Sequence, residues 1–160
     1  MSSEIRNLLS GTATGDVSKW KIGEGWGYAS ITSDAVDGYQ CIIHKAPRGW
    51  QVMYQPLPSN LAGKLVTLSG YAKITSKSDN TEEVLCGISN SNEYNDSNTF
   101  DISNSWTMIC GTLTLSNTPM LSILTMPKPE GGDGTEATVA YRELMLVEGT
   151  TPAAWAPAEG

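Results

Sequence analysis

The segment LVTLSGYAKI, residues 65–74, alternates without a break. Val66, Leu68, Gly70, Ala72 and Ile74 fall on one side of an extended chain, with Thr67, Ser69, Tyr71 and Lys73 on the other. A helix would scatter that pattern around its axis, so the segment is a strand with one face in a core. The preceding turn NLAG places Gly63 where a positive φ carries no steric cost. Gly70 and Ala72 are expected where two sheets approach closely. In WTMICGTLTL the two sides are Trp106, Met108, Cys110, Thr112, Thr114 and Thr107, Ile109, Gly111, Leu113, Leu115. Both are partly apolar, which predicts a strand inside a two-layer structure with Trp106 in the core.

TEATVAYRELMLVEG reads as a third long strand, and shorter ones fall at WGYASI, YQCIIHK, WQVMYQ, EVLCGIS and MLSILTM. About eight or nine strands result, separated by turn clusters such as SDAVDG, KAPRG, PSNLAG, SKSDNTE, SNEYNDSN and PKPEGGDG. Helical periodicity is almost absent. The predicted fold is all-β, a jelly-roll β-sandwich of two antiparallel sheets, with residues 1–160 forming a single domain that has neither repeat nor linker.

Seventeen acidic residues against ten Lys and Arg leave a formal charge of −7. Such a surface repels phosphate backbones and anionic lipid, so neither nucleic acid nor membrane is an expected partner. No secretion signal opens the chain and no apolar run approaches the roughly 18 residues that span a bilayer, so a soluble protein made in a reducing cytosol is expected. Cys41, Cys86 and Cys110 stand singly in apolar stretches and read as buried free thiols.

The expectation is a protein that is not an enzyme. Glycoside hydrolysis needs two carboxyls held across a cleft, one with a raised pKa. Glu24, Glu93, Asp96, Asp101 and Glu143 are available, but most sit in polar loops without apolar flanks. One histidine, no GxSxG and no HExxH leave the usual nucleophilic and metal arrangements without candidates.

Four segments together carry a resemblance: NLLSGT near the start, WQVMYQPLPSNLAGKLVTLSGYAKI, SWTMICGTLTL, and YRELMLVEGTTPAAWAPAEG at the end. The chain resembles the jelly-roll carbohydrate-binding modules of bacterial glycoside hydrolases, and the similar modules inserted in phage tail and baseplate proteins of Gram-positive hosts. The closing LMLVEGTTPAAWAPA is especially similar to evolved distal tail proteins. The resemblance covers nearly the whole chain through loose motifs. It implies binding of a bacterial cell-wall polysaccharide during adsorption, without hydrolysis, by part of a larger multi-copy tail protein made in the host cytoplasm and carried in the virion. The alternatives are a structural or protein-binding decoration module, or an accessory module of a secreted glycoside hydrolase.

No cofactor is implied. Many modules of this group hold a structural calcium through acidic side chains of the last strand, where this chain offers Glu143 rather than a pair of aspartates. The early and late tryptophans, Trp20 and Trp155, are implied or expected to close the core.

A pyranose presents an apolar C–H face that stacks on an aromatic ring, and hydroxyls that need donors and acceptors at fixed angles. The candidate ligand contacts are therefore aromatics with polar neighbours. Trp50 and Tyr54 share one side of WQVMYQ, with Gln51 and Gln55 on the other. If the aromatic side looks outward, the two rings form a platform; if it looks inward, the glutamines supply hydrogen bonds. Arg48 and His44, with Lys45, form a basic cluster before this strand, which reads either as a solvated strand end or as donors to sugar hydroxyls or a wall phosphate. Trp26 and Tyr28 lie among glycines in GEGWGYAS, and Tyr94 in the polar loop SNEYNDSN.

Overall fold

The computed structural model describes residues 7–9, 17–23, 29–47, 51–90, 98–129 and 134–152. Among them are ten strands: β1 (Lys21–Ile22), β2 (Ser30–Val36), β3 (Tyr39–Pro47), β4 (Gln51–Pro56), β5 (Leu65–Lys77), β6 (Glu83–Ser89), β7 (Thr99–Ile102), β8 (Thr107–Thr114), β9 (Met120–Lys128) and β10 (Glu136–Glu148). They form two five-stranded antiparallel sheets, β1-β4-β9-β6-β7 and β2-β3-β10-β5-β8, which make the β-sandwich the alternation predicted. Short 3-10 turns at Val17–Lys19 and Ser59–Leu61 accompany them.

The core lies between the sheets. Val66, Leu68 and Ala72 of β5, Val139, Tyr141 and Leu146 of β10 and Ile109 of β8 face Met53 of β4, Leu121 and Ile123 of β9, and Val84, Cys86 and Ile88 of β6. Each large aliphatic side chain buried here contributes roughly 1.5–3 kcal/mol. Trp20 joins this cluster, as expected; Trp155 is outside the described residues.

Several local expectations need correction. SDAVDG is not a loop: β2 runs through Val36, and only Asp37 and Gly38, both with positive φ, make the hairpin turn. TFDI, residues 99–102, is an edge strand whose outward polar residues masked its apolar Phe100 and Ile102. β8 is also an edge strand, with Ile109 and Leu113 inward while Met108 is 53% exposed. Cys110 is half-buried on that outer side, whereas Cys41 and Cys86 are buried free thiols. Gly63 has the positive φ its turn requires. Gly70 serves a different purpose from the one expected. A Cβ there would lie 2.8 Å from Leu144 Cδ2 and 3.1 Å from the Arg142 carbonyl, so it makes room for a bulge in the neighbouring strand β10.

One polar chain crosses the core. His44 Nδ1 on β3 lies 2.8 Å from Thr125 Oγ1 on β9, which lies 2.7 Å from the Tyr141 hydroxyl on β10. All three residues are buried, and the chain ties one sheet to the other.

Candidate functional site

The strand register defines the outer face of the first sheet. Because Met53, Ile123 and Ile88 point into the core, their neighbours point outward. One row across the sheet is Lys21, Tyr54, Ser122 and Ser89; the next is Val52, Leu124, Gly87 and Thr99; the third is Met126, Leu85 and Asp101.

This face is unusually dry for an outer one. Val52, Leu124 and Met126 are fully buried and form an apolar cluster of their own, separate from the core, with Leu85 packed against it. Ser122, in the middle of the sheet, is also fully out of solvent, and its hydroxyl has no hydrogen-bond partner among the described residues. A buried hydroxyl without a partner carries a desolvation cost of about 1–3 kcal/mol. Half-buried Tyr54 lies beside it across the strand pair. Tyr54 reaches solvent and offers stacking surface, while Ser122 and the apolar strip lie covered beside it.

Of the two orientations open to WQVMYQ, the structure has Val52 and Tyr54 on the outer face and Gln51 and Gln55 toward the interior. The Gln51 amide donates to the Pro47 carbonyl at 2.8 Å and is 1% exposed, so its hydrogen bond goes to the backbone rather than to a ligand. His44 needs a stronger correction. It is completely buried between the sheets, and burial holds its pKa down to about 3, so it is a neutral core group out of reach of a saccharide. The basic residues around it in sequence suggested a solvated strand end; alternation along β3 turns Lys45 out and His44 in.

Trp26, Tyr28, Arg48, Trp50 and Tyr94 lie outside the described residues. Each of their segments is continuous in sequence with a strand of this sheet: 24–28 follow β1, 48–50 precede β4, and 91–97 connect β6 to β7. Gly23 N donates to Val52 O at 2.8 Å, which brings the end of β1 to the start of β4 at one end of the face. β6 runs out at the opposite end, where Ser89 pairs with Ser122.

Trp106 and Glu143 are on the outer face of the other sheet. Trp106 is half-buried rather than core, and its indole Nε1 donates to Asp37 Oδ2 at 3.0 Å. Glu143 is ion-paired with Arg142. A carboxylate committed to a guanidinium is a poor cation ligand, and among the described residues no three His, Cys, Asp or Glu side chains converge as a metal site. The described residues around Glu143 do not make a calcium ligand set.

A groove of about 460 Å³ opens at the edge of the sandwich, between Ile74 and Lys77 of β5, Glu83 and Val84 of β6, and Ile102 and Asn104. No aromatic ring is among its described lining residues, so it offers no stacking surface.

No family model matches the chain, and no curated protein matches it. Solved structures do. The xylan-binding domain CBM22-1 of Paenibacillus barcinonensis Xyn10C superposes with a TM-score of 0.61 at 14% identity, covering 96% of this chain and 100% of that one. TmCBM61, solved in complex with β-1,4-galactotriose, gives a TM-score of 0.54 at 11% identity over 90% of this chain and 99% of that one. The enzymatically active domain of tailspike protein 4 from bacteriophage CBA120 gives 0.54 at 14% identity over 89% of this chain. This chain spans about a fifth of the tailspike structure, 21% of its length. At these identities the likeness is one of fold: the chain has the β-sandwich architecture found in carbohydrate-binding modules and in part of a phage tailspike.

Proposed function

We propose that this protein binds a saccharide without cleaving it, along the outer face of the first sheet. The observation that carries the reading is the half-buried Tyr54 ring, which reaches solvent on the outer face beside the covered Val52–Leu124–Met126 strip. A sugar ring would stack its C–H face on Tyr54, while Ser122 stays covered beneath the face. The fold likeness to modules that bind xylan and galactotriose supports the same class of ligand.

The ligand proposed is a bacterial cell-wall polysaccharide, and the setting a phage tail or baseplate protein present in many copies. The resemblance of the closing segment to tail-protein modules and the fold likeness to a tailspike support this setting. Multiple copies suit a site of this kind, because a single stacked ring contributes only about 1–3 kcal/mol and avidity multiplies weak contacts. The likeness to a xylan-binding module favours a second setting, an accessory module of a glycoside hydrolase.

A fluorescent fusion incubated with Gram-positive cell walls, intact or stripped of polysaccharide, and with insoluble xylan separates these readings. Retention on intact walls alone is expected. Equal retention on stripped walls removes the wall-polysaccharide reading, and retention on xylan alone moves the protein to the hydrolase setting. Tyr54→Ala is expected to weaken retention by tenfold or more, in line with loss of about 1–3 kcal/mol of stacking.

A further inference from the structure

The outer face of the second sheet carries an aromatic cluster that the proposed site does not use. Tyr39 (β3), Tyr71 (β5) and Trp106, just before β8, surround the guanidinium of Arg142 on β10, whose carbon lies 3.8, 4.3 and 4.7 Å from the three ring centroids. Such distances are well inside the range of cation–π attraction. Tyr39 and Trp106 meet edge to face at 6.0 Å. Lys73 Nζ stands 5.7 Å from the Trp106 ring and donates to Asp37 Oδ2 at 2.5 Å, the oxygen that also accepts from the indole.

Three features make this more than surface decoration. First, the side chains are locked: each ring or charge is held by at least one other member, so little freedom is left to lose on binding. Second, the backbone is shaped around the cluster. Asp37 and Glu143 are the two non-glycine residues with positive φ among the described residues, and both belong to it. An aspartate in a two-residue hairpin turn is ordinary, but a glutamate in the left-handed region is not. The bulge that holds Glu143 there requires Gly70 opposite, and Glu143 is the carboxylate that pairs with Arg142.

Third, the charges cancel. Arg142 is paired with Glu143 and Lys73 with Asp37, so the cluster has no excess positive charge to draw a phosphate or uronate chain. Yet it keeps exposed ring surface, Tyr39 being 43% exposed, and the Arg142 Nε is buried without a partner. Exposed rings set among fixed donors and acceptors of zero net charge match an uncharged ligand with C–H faces and hydroxyls.

We infer that the Tyr39–Trp106–Arg142 cluster is a second saccharide-binding surface, for a neutral pyranose chain, on the side of the sandwich opposite the first. This inference rests on the saccharide-binding reading, and two surfaces on opposite sheets would let one module bridge two chains or hold one wall at two points.

The test is a titration of the isotopically labelled protein with xylohexaose and, separately, β-1,4-galactotriose, followed by the amide resonances and the Trp106 indole N–H. A saturable shift at the Trp106 indole and the Tyr39 and Tyr71 amides is expected with at least one of the two. The shifts should persist in Tyr54→Ala, and the affinity read from the Tyr39 and Tyr71 amides should weaken by about fivefold or more in Trp106→Ala, whose fold is checked by the unchanged resonances of the first sheet. Shifts confined to the first sheet overturn the second surface and leave the proposed site standing. Shifts confined to the second sheet support this inference and leave the first-sheet site to the wall-retention assay. No saturable shift on either sheet overturns the second surface and leaves the first-sheet site to the wall-retention assay.

Discussion

The two outer faces of this sandwich are built on opposite plans. The face of β1-β4-β9-β6-β7 buries Val52, Leu124 and Met126 and leaves the Ser122 hydroxyl unpaired. The face of β2-β3-β10-β5-β8 exposes Met108 and Tyr39 and satisfies its charges internally, through Arg142 with Glu143 and Lys73 with Asp37. The first face is packed like an interior and has an unmet polar demand. The second is packed like a surface and has its charges paired, although Arg142 Nε is buried without a partner. The fold treats the two sheets alike, so the difference comes from the residues at alternate strand positions, and it teaches that an outer face can be dry or wet within one architecture.

The largest expected effect tests whether the first face is truly packed. Leu124→Ala should lower stability by about 2–5 kcal/mol, as for a core leucine, measured by urea unfolding. A loss below about 1 kcal/mol would make the two faces alike and break the comparison. Next, Gly70→Ala should cost about 1–3 kcal/mol by overpacking against Leu144 and the Arg142 carbonyl, and should disturb the near-ultraviolet signal of the aromatic cluster.

The interior that joins the faces supplies a pH effect. His44 is held neutral by burial, with its pKa lowered to about 3 from an ordinary 6.5. The unfolded chain therefore binds a proton that the folded chain refuses between those values. Stability is fully present above pH 6.5 and falls as pH drops toward 3, by up to roughly 1.4 kcal/mol per pH unit from this group. Asp37, whose carboxyl is held below its usual range first by the Lys73 hydrogen bond, acts in the same direction. His44→Leu should flatten the acid limb of the stability profile between pH 6.5 and 4; an unchanged slope would assign the limb to carboxylates alone.

The smallest effects are the sharpest discriminators. Ser122→Ala removes a covered, unpaired hydroxyl, so stability should hold or rise slightly while wall binding, which rests on Tyr54, stays unchanged. A clear loss of stability would mean that this oxygen has a partner in the folded protein. On the second face, Met108→Ser should change stability by no more than about 0.5 kcal/mol, because its side chain is mostly in water.

Much of the fold was legible in the alternation. LVTLSGYAKI has the faces read from its sequence, with Val66, Leu68 and Ala72 inward. The NLAG turn has its glycine at positive φ. TFDI was missed because four residues hold too few alternations to stand out, and SDAVDG was misread because its polar residues lie on an edge strand that needs no apolar outer face. Trp106 was read as core from its large apolar side chain, since nothing local reveals that Asp37 awaits its indole sixty-nine residues away. For His44 the neighbouring charges Lys45 and Arg48 were the wrong guide, and strand parity would have been the right one.

The sequence by itself determined which residues share a side of each strand, because that is a period of two carried by the local backbone. It thereby determined an all-β sandwich, the inward set of β5, and the grouping of Val52 with Tyr54. Only the tertiary structure decided which side of β4 met the core, and which strands lay next to one another. Tyr39, Tyr71, Trp106 and Arg142 come from four strands or strand ends spread over a hundred residues, and Tyr54, Ser122 and Ser89 from three. Their meeting depends on long-range register, which hydrogen bonding and core packing set jointly across the sheet and no local pattern encodes.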